Sequence, residues 1–213
     1  MHIIATNTKH PDVSAVTAAA TALRVGEVIA YLTDTLYGLG GDSRSILAIE
    51  RIFLLKGRST EKALPVIVGE KQMAQCYVEK IPSIAEILIE QFWPGPLTIV
   101  FNASANVPAN LMSNTGKIAM RLPASRLARE ISNGLGAPVI STSANRSGEP
   151  VLNSAKEIAD VFGKSIALIL DSGPPMNHNP STIIDVTTQP PRLLRAGAVP
   201  LTEITKRIGE LSS

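Results

Sequence analysis

Hydrophobic positions recur along this chain at two spacings, and the spacing marks the elements. Val13 to Arg24 is Ala-rich and stops at Gly26, which predicts a helix with a glycine end. Glu27 to Leu32 is a short apolar run and reads as a buried strand. Ile46, Ile49 and Phe53 fall at i, i+3 and i+7, so a helix is expected there, capped by Asp42 or Ser43 and ending near Lys56-Gly57. Leu64 to Val68 reads as the next strand. Residues 83–92 read as a helix stopped by Trp93-Pro94-Gly95-Pro96. Further strands are expected at Leu97 to Phe101, Ile118 to Met120, Val139-Ile140, Ile166 to Leu170, Thr182 to Val186 and Leu193-Leu194, with helices at 125–132, 154–162 and 201–211. Strands that adjoin without a helix between them favour a mixed sheet over a purely parallel one, so the class is α/β.

Length and composition narrow this picture. At 213 residues, with 45% hydrophobic and 18% charged positions, the chain can bury a core as one domain or at most two small ones. Lys and Arg number 20 and Asp and Glu 18, a net charge of +2, which carries no global nucleic-acid signature. Aromatics at 4% argue against base-stacking platforms. The one cysteine, Cys76, rules out an intrachain disulfide framework and CxxC zinc sites. It falls in an expected helix and reads as a buried structural thiol. His2, His10 and His178 are scattered and read as surface residues. The N-terminus has no export signal, and no apolar run approaches the roughly 20 residues of a spanning helix. A cytoplasmic chain without a membrane partner is expected.

Familiar catalytic signatures are absent. There is no Walker phosphate loop and no GxSxG, and Gly38-Leu39-Gly40-Gly41 lacks GxGxxG spacing and reads as a tight turn. What stands out is a set of polar segments at strand and helix ends, where open α/β sheets bind ligands. Thr33-Asp34-Thr35 reads either as a self-bonded turn or as hydroxyls facing a ligand. Lys56-Gly57-Arg58 either complements a helix dipole or reaches around a polyphosphate. Lys117 and Arg121 share one face of a strand by period-two alternation, and a buried arginine there calls for an anionic partner. Ser141-Thr142-Ser143-Ala144-Asn145-Arg146-Ser147-Gly148 is dense in hydrogen-bonding groups and suits a nucleotide- or phosphate-binding loop.

The order of these segments is more specific than any one of them. Thr33-Asp34-Thr35 with Tyr37-Gly38-Leu39-Gly40, Lys56-x-Arg58, Trp93-Pro94-Gly95-Pro96-Leu97-Thr98, Arg121-Leu122-Pro123, Ser141 to Asn145, Ser181-Thr182-Ile183 and Leu194-Arg195-x-Gly197 together resemble the YrdC-like family. That family includes the threonylcarbamoyl-AMP synthases of tRNA modification. The resemblance runs from about residue 12 to 208, as in the short, single-domain members, so residues 1–213 are read as one YrdC-like domain.

The resemblance implies a twisted mixed α/β sheet with flanking helices and a concave, positively charged cavity. It implies condensation of L-threonine, bicarbonate or CO2, and ATP to threonylcarbamoyl-AMP and pyrophosphate, with Mg2+ accompanying ATP. Downstream transferase proteins then modify the tRNA adenosine beside the anticodon, and direct tRNA contact is open. By motif, Lys56, Arg58, Lys117, Ser143, Asn145 and Arg195 are assigned to ATP, and Thr33, Arg121, Ser141 and Ser181 to threonine or its carbamate. No covalent nucleophile is expected, catalysis being by positioning and charge, and no metal ligand is assigned to the protein. The chain departs from the family at Leu32, Ala63, Ile67 and Ser125. Two alternatives are a related carbamoyl-adenylate-forming enzyme, and a non-catalytic RNA-binding or ribosome-maturation factor on the same fold.

Overall fold

The computed structural model describes residues 1–113, 115–176 and 179–212, so His178 lies outside the described residues. Ten strands form one sheet. They are β1 (His2–Ala5), β2 (Ile29–Leu32), β3 (Tyr37–Asp42), β4 (Val66–Ile67), β5 (Leu97–Asn102), β6 (Lys117–Arg121), β7 (Val139–Ser143), β8 (Leu168–Asp171), β9 (Thr182–Asp185) and β10 (Arg192–Arg195). Their order is β1-β8-β2-β3-β7-β4-β6-β5-β9-β10. The sheet is mixed as expected: β5 runs parallel to β9 and β4 to β6, while β5 with β6 and β3 with β7 are antiparallel.

The helices are α1 (Val13–Arg24), α2 (Ile46–Lys56), α3 (Lys71–Gln75), α4 (Ser83–Phe92), α5 (Ala109–Met112), α6 (Arg126–Leu135), α7 (Ala155–Phe162) and α8 (Leu201–Ile208). None is long and apolar enough to cross a membrane. Two apolar clusters hold the layers together. One packs Ala15, Ala19 and Leu23 of α1 and Leu127 and Ile131 of α6 on Ile29, Tyr31, Val139 and Leu170. The larger one joins α2, α4, α7 and α8 to Leu39, Leu97, Ile99, Ile118 and Met120.

Several expectations are corrected. The Gly38-Leu39-Gly40-Gly41 segment is not a turn but the middle of β3, buried throughout. Its glycines supply space rather than unusual torsions. A Cβ on Gly40 would lie 2.7 Å from the Tyr31 ring, and one on Gly41 2.9 Å from Ile52 of α2. Ser45, not Asp42 or Ser43, caps α2: its Oγ accepts from Ala48 N at 3.2 Å, while Asp42 pairs with Arg44. Ser141 to Ser143 extend β7 rather than opening a loop. Cys76 is exposed, as the residue just past the five-residue α3, whose one buried side chain is Ala74. His2 and His10 are on the surface, as read.

Candidate functional site

Period-two alternation builds the site. On β5, β6 and β9 one set of side chains, Leu97, Ile99, Phe101, Ile118, Met120 and Ile184, enters the larger core. The alternate set, Thr98, Val100, Lys117, Ala119, Arg121, Ile183 and Asp185, faces a cavity of about 370 Å³. Lys117 and Arg121 thus share one face. Residues of β3, β4, β7 and β10 complete the wall, and Thr33, Arg58, Ser141, Ser143, Ser181 and Arg195 all line it. A shallower cleft of about 410 Å³ adjoins it, lined among others by Lys56, Lys62, Asn145 and Ser147. Arg58 and Ser143 border both spaces. All ten residues assigned to ligands from sequence therefore converge on this pair of spaces.

Their polar atoms are engaged in different ways. Lys56 is 3% exposed, and its ammonium donates to Ser143 O at 2.6 Å, Asn145 O at 2.9 Å and Asn145 Oδ1 at 3.0 Å. Those three bonds use all three ammonium protons. From the sequence, Lys56 at the end of α2 would complement the helix dipole or reach a polyphosphate. Instead it is buried, because α2 delivers it beneath the segment that follows β7. Burial, with Arg58 nearby, pushes its pKa down to about 8. Asn145 is equally occupied: Oδ1 also accepts from Ser143 Oγ at 2.7 Å, and Nδ2 donates to Glu149 O at 2.6 Å. Ser147 N donates to Lys56 O at 2.7 Å, which closes the knot.

Arg58 differs. Gly57, in the left-handed region at φ 56°, ends α2 and turns the chain so that Arg58 comes to the junction of cavity and cleft. Its Nη2 donates to Ala63 O at 2.9 Å, while its buried Nε has no partner among the described residues. Burial lowers its pKa from the usual guanidinium range. A half-buried cation with an unused donor is what an anionic ligand would complete.

On the cavity wall, Arg121 is 6% exposed and lies 3.4 Å from Asp34 Oδ1 and 3.3 Å from Thr35 Oγ1. Asp34 is the anionic partner that the buried arginine called for. Thr33 lines the cavity, but its Oγ is tied into its own turn, bonding Leu36 O at 2.9 Å and accepting from Thr35 N at 3.1 Å. Lys117 Nζ pairs with Asp185 Oδ2 at 2.9 Å. That pairing and the Thr187 hydrogen bonds hold the Asp185 carboxyl below the usual range, against the upward push of burial. Arg195 Nε and Nη2 donate to Ser181 O at 3.0 and 2.8 Å, and Nη2 also reaches Ser181 Oγ at 2.9 Å. Although Arg195 as a whole is exposed, desolvation of its charged end lowers its pKa, helped by the charges of Arg121 and Arg58. Gly197 allows this grip, since a Cβ there would lie 2.3 Å from Pro180 O and 2.5 Å from Ser181 C. The Leu-Arg-x-Gly segment is thus a clamp on Ser181.

Sequence reasoning passed over Asp34, Thr35, Tyr37, Thr98 and Asp185 as individual side chains. Tyr37 lines the cavity and donates to Gly173 O at 2.8 Å, and burial pushes its pKa up to about 12. Four of the five sit inside the quoted segments, and alternation from Ile183 would have brought Asp185 to the same face. The four departures lie at the edges of this geometry. Ala63 O holds Arg58, and Ile67 lines the cavity at the end of β4. Ser125 caps α6 and donates to Leu32 O at 3.3 Å.

The cavity thus gathers Arg58, Lys117, Arg121 and Arg195 with hydroxyls from separated segments of a mixed sheet, Lys117 and Arg121 being paired with Asp185 and Asp34. The profile of the Sua5, YciO and YrdC family, described as telomere recombination, matches residues 21–197. The chain belongs to this family. The threonylcarbamoyl-AMP synthase of Pyrococcus abyssi is 38% identical over 193 residues, 91% of this chain and 57% of that protein. The threonylcarbamoyl-AMP synthase of Vibrio vulnificus is 36% identical over 178 residues, 83% of this chain and 95% of that protein. The crystal structure of P. abyssi Sua5 complexed with L-threonine aligns with a TM-score of 0.95 at 36% identity, covering all of this chain and 62% of that one.

Proposed function

We propose that this chain is an L-threonylcarbamoyladenylate synthase. The observation that carries the reading is the convergence of all ten motif-assigned residues on one cavity and its adjoining cleft. In this reading L-threonine lies on the cavity wall, with its carboxylate toward Arg121 and its amine or carbamate toward Ser141 and Ser181. Thr33 shapes the turn that carries Asp34 and Thr35 rather than offering a free hydroxyl. The triphosphate of ATP runs through the junction, where Arg58 meets it. Lys56, Ser143 and Asn145 hold the surrounding segment in shape, and Lys117 and Arg195 flank the nucleotide.

The chemistry asks for alignment and charge. The threonine amine captures CO2 derived from bicarbonate, releasing a proton and forming a carbamate. A carbamate oxygen attacks the α-phosphorus, and the bond to the bridging oxygen breaks as pyrophosphate leaves. Arg58 offsets the charge that builds on the leaving group. Mg2+ enters as the companion of ATP. Asp185 is bonded by Lys117, whereas the buried Asp34 carboxylate lies 3.4 Å from Arg121 and has no hydrogen-bond partner among the described residues; neither is assigned to the ion, which phosphate oxygens and water would hold. The product supplies a transferase that modifies tRNA in the cytoplasm.

Purified chain with Mg2+ and ATP tests the reading. Pyrophosphate release is expected to require both L-threonine and bicarbonate. Release no greater with them than without them would overturn it.

A further inference from the structure

We infer that Thr98 is a positioning residue of the amino-acid site, setting how the Ser181 hydroxyl meets the ligand. This rests on the reading that Ser181 contacts threonine or its carbamate. Thr98 stands on the cavity face of β5 and is 3% exposed. Its neighbours Leu97 and Ile99 are fixed in the core, and in the ladder to β9 it pairs with Ile183. The preceding turn is fixed too: Trp93 Nε1 donates to Leu97 O at 2.7 Å, and Gly95 N to Leu122 O at 2.8 Å. Thr98 Oγ1 therefore arrives 2.8 Å from Ser181 Oγ, and among the described residues that is its one hydrogen-bond partner.

Hydrogen-bond counting gives this contact a consequence. A serine hydroxyl offers one proton and two lone pairs. Arg195 Nη2 occupies one lone pair of Ser181. Thr98 occupies either the proton or the second lone pair. Ser181 is left with one unused capacity toward the cavity. It is an acceptor when Ser181 donates to Thr98, and a donor when Thr98 donates to Ser181. The proposed reaction needs both in turn. The substrate amine donates before CO2 capture, and the carbamate oxygens accept afterwards. Reversing one O–H···O bond changes the polarity of Ser181 while every heavy atom stays in place.

Calorimetric titration of L-threonine into wild type, Thr98→Val and Thr98→Ser tests this, with ATP affinity and thermal unfolding measured on the same proteins. Losing one neutral hydrogen bond should weaken threonine binding about three- to tenfold in Thr98→Val. ATP affinity and unfolding temperature should stay near wild type, and Thr98→Ser should restore threonine binding. Should Thr98→Val fail to fold, Thr98→Ala takes its place against Thr98→Ser. Equal threonine affinity in wild type and the variant lacking the hydroxyl would overturn the inference. So would parallel losses in threonine affinity, ATP affinity and stability that Ser does not restore, which would mark a structural role. Absence of threonine binding in wild type would instead overturn the functional reading beneath it.

Discussion

The cleft and the cavity wall are built from the same residue types, yet they direct them oppositely. Around the cleft, Lys56, Ser143 and Asn145 bond to one another and to backbone, with every ammonium proton of Lys56 engaged. Along the cavity, the β-ladder holds the backbone of Arg121 and Ser141, and their side chains line the open volume. The reason is local. The segment after β7 has no ladder of its own beyond Ser143, so side chains must hold it. Strands β5, β6 and β9 already have backbone partners on both sides. A motif residue is therefore not a ligand contact by default; around the end of β7, Lys56, Ser143 and Asn145 are part of the scaffold.

The largest expected effect breaks the scaffold side. Lys56→Ala leaves three oxygens without their buried donor and should cost about 2–4 kcal/mol of stability, read by urea melts. A loss below about 0.5 kcal/mol would mean that the knot is not structural. Gly197→Ala drives a Cβ against the backbone of Pro180 and Ser181. It should cost about 1–3 kcal/mol and weaken threonine binding more than ATP binding. Arg58→Ala probes the ligand side: ATP affinity should fall about tenfold to a hundredfold, with an unfolding midpoint close to wild type.

A smaller effect follows from the Lys56 proton. Its pKa is about 8 in the fold against 10.5 for a free lysine. Between those values the unfolded chain holds more protons, so stability rises with pH from about 8 toward 10.5, and below 8 the full cost of the buried charge applies. Urea melts at about pH 7.5 and about pH 9.5 should show the rise in wild type and its absence in Lys56→Met. The smallest change is expected for Cys76→Ala, which removes an exposed thiol past a five-residue helix. Turnover and stability should hold within about 0.5 kcal/mol, and lost turnover in a folded variant would reveal a thiol role.

The pattern of apolar positions was enough to read α1, the Lys56-Gly57 end of α2, α4 and β5, because each has its own periodicity and stop signal. β3 escaped for a physical reason. In Tyr37-Gly38-Leu39-Gly40-Gly41-Asp42 the glycines erase the alternation, and what selects them is the Tyr31 ring and Ile52, which the local sequence does not reveal. The site was legible as a set of segments and illegible as contacts. Lys117 and Arg121 could be placed on one face from spacing alone. The burial of Lys56 depends on where β7 ends, and the pairing of Arg121 with Asp34 depends on the turn between β2 and β3 coming up to the end of β6. The grip of Arg195 on Ser181 likewise joins residues 14 positions apart through a close backbone approach at Gly197.

The most direct measurement is the mass of the nucleotide product formed from ATP, L-threonine and carbon-13 bicarbonate with Mg2+. A synthase builds one molecule in which AMP, threonine and the labelled carbonyl are joined, and it releases pyrophosphate alongside. That species, carrying the label and disappearing when either threonine or bicarbonate is omitted, is the expected result. AMP or ADP formed without a labelled threonine adduct would contradict it.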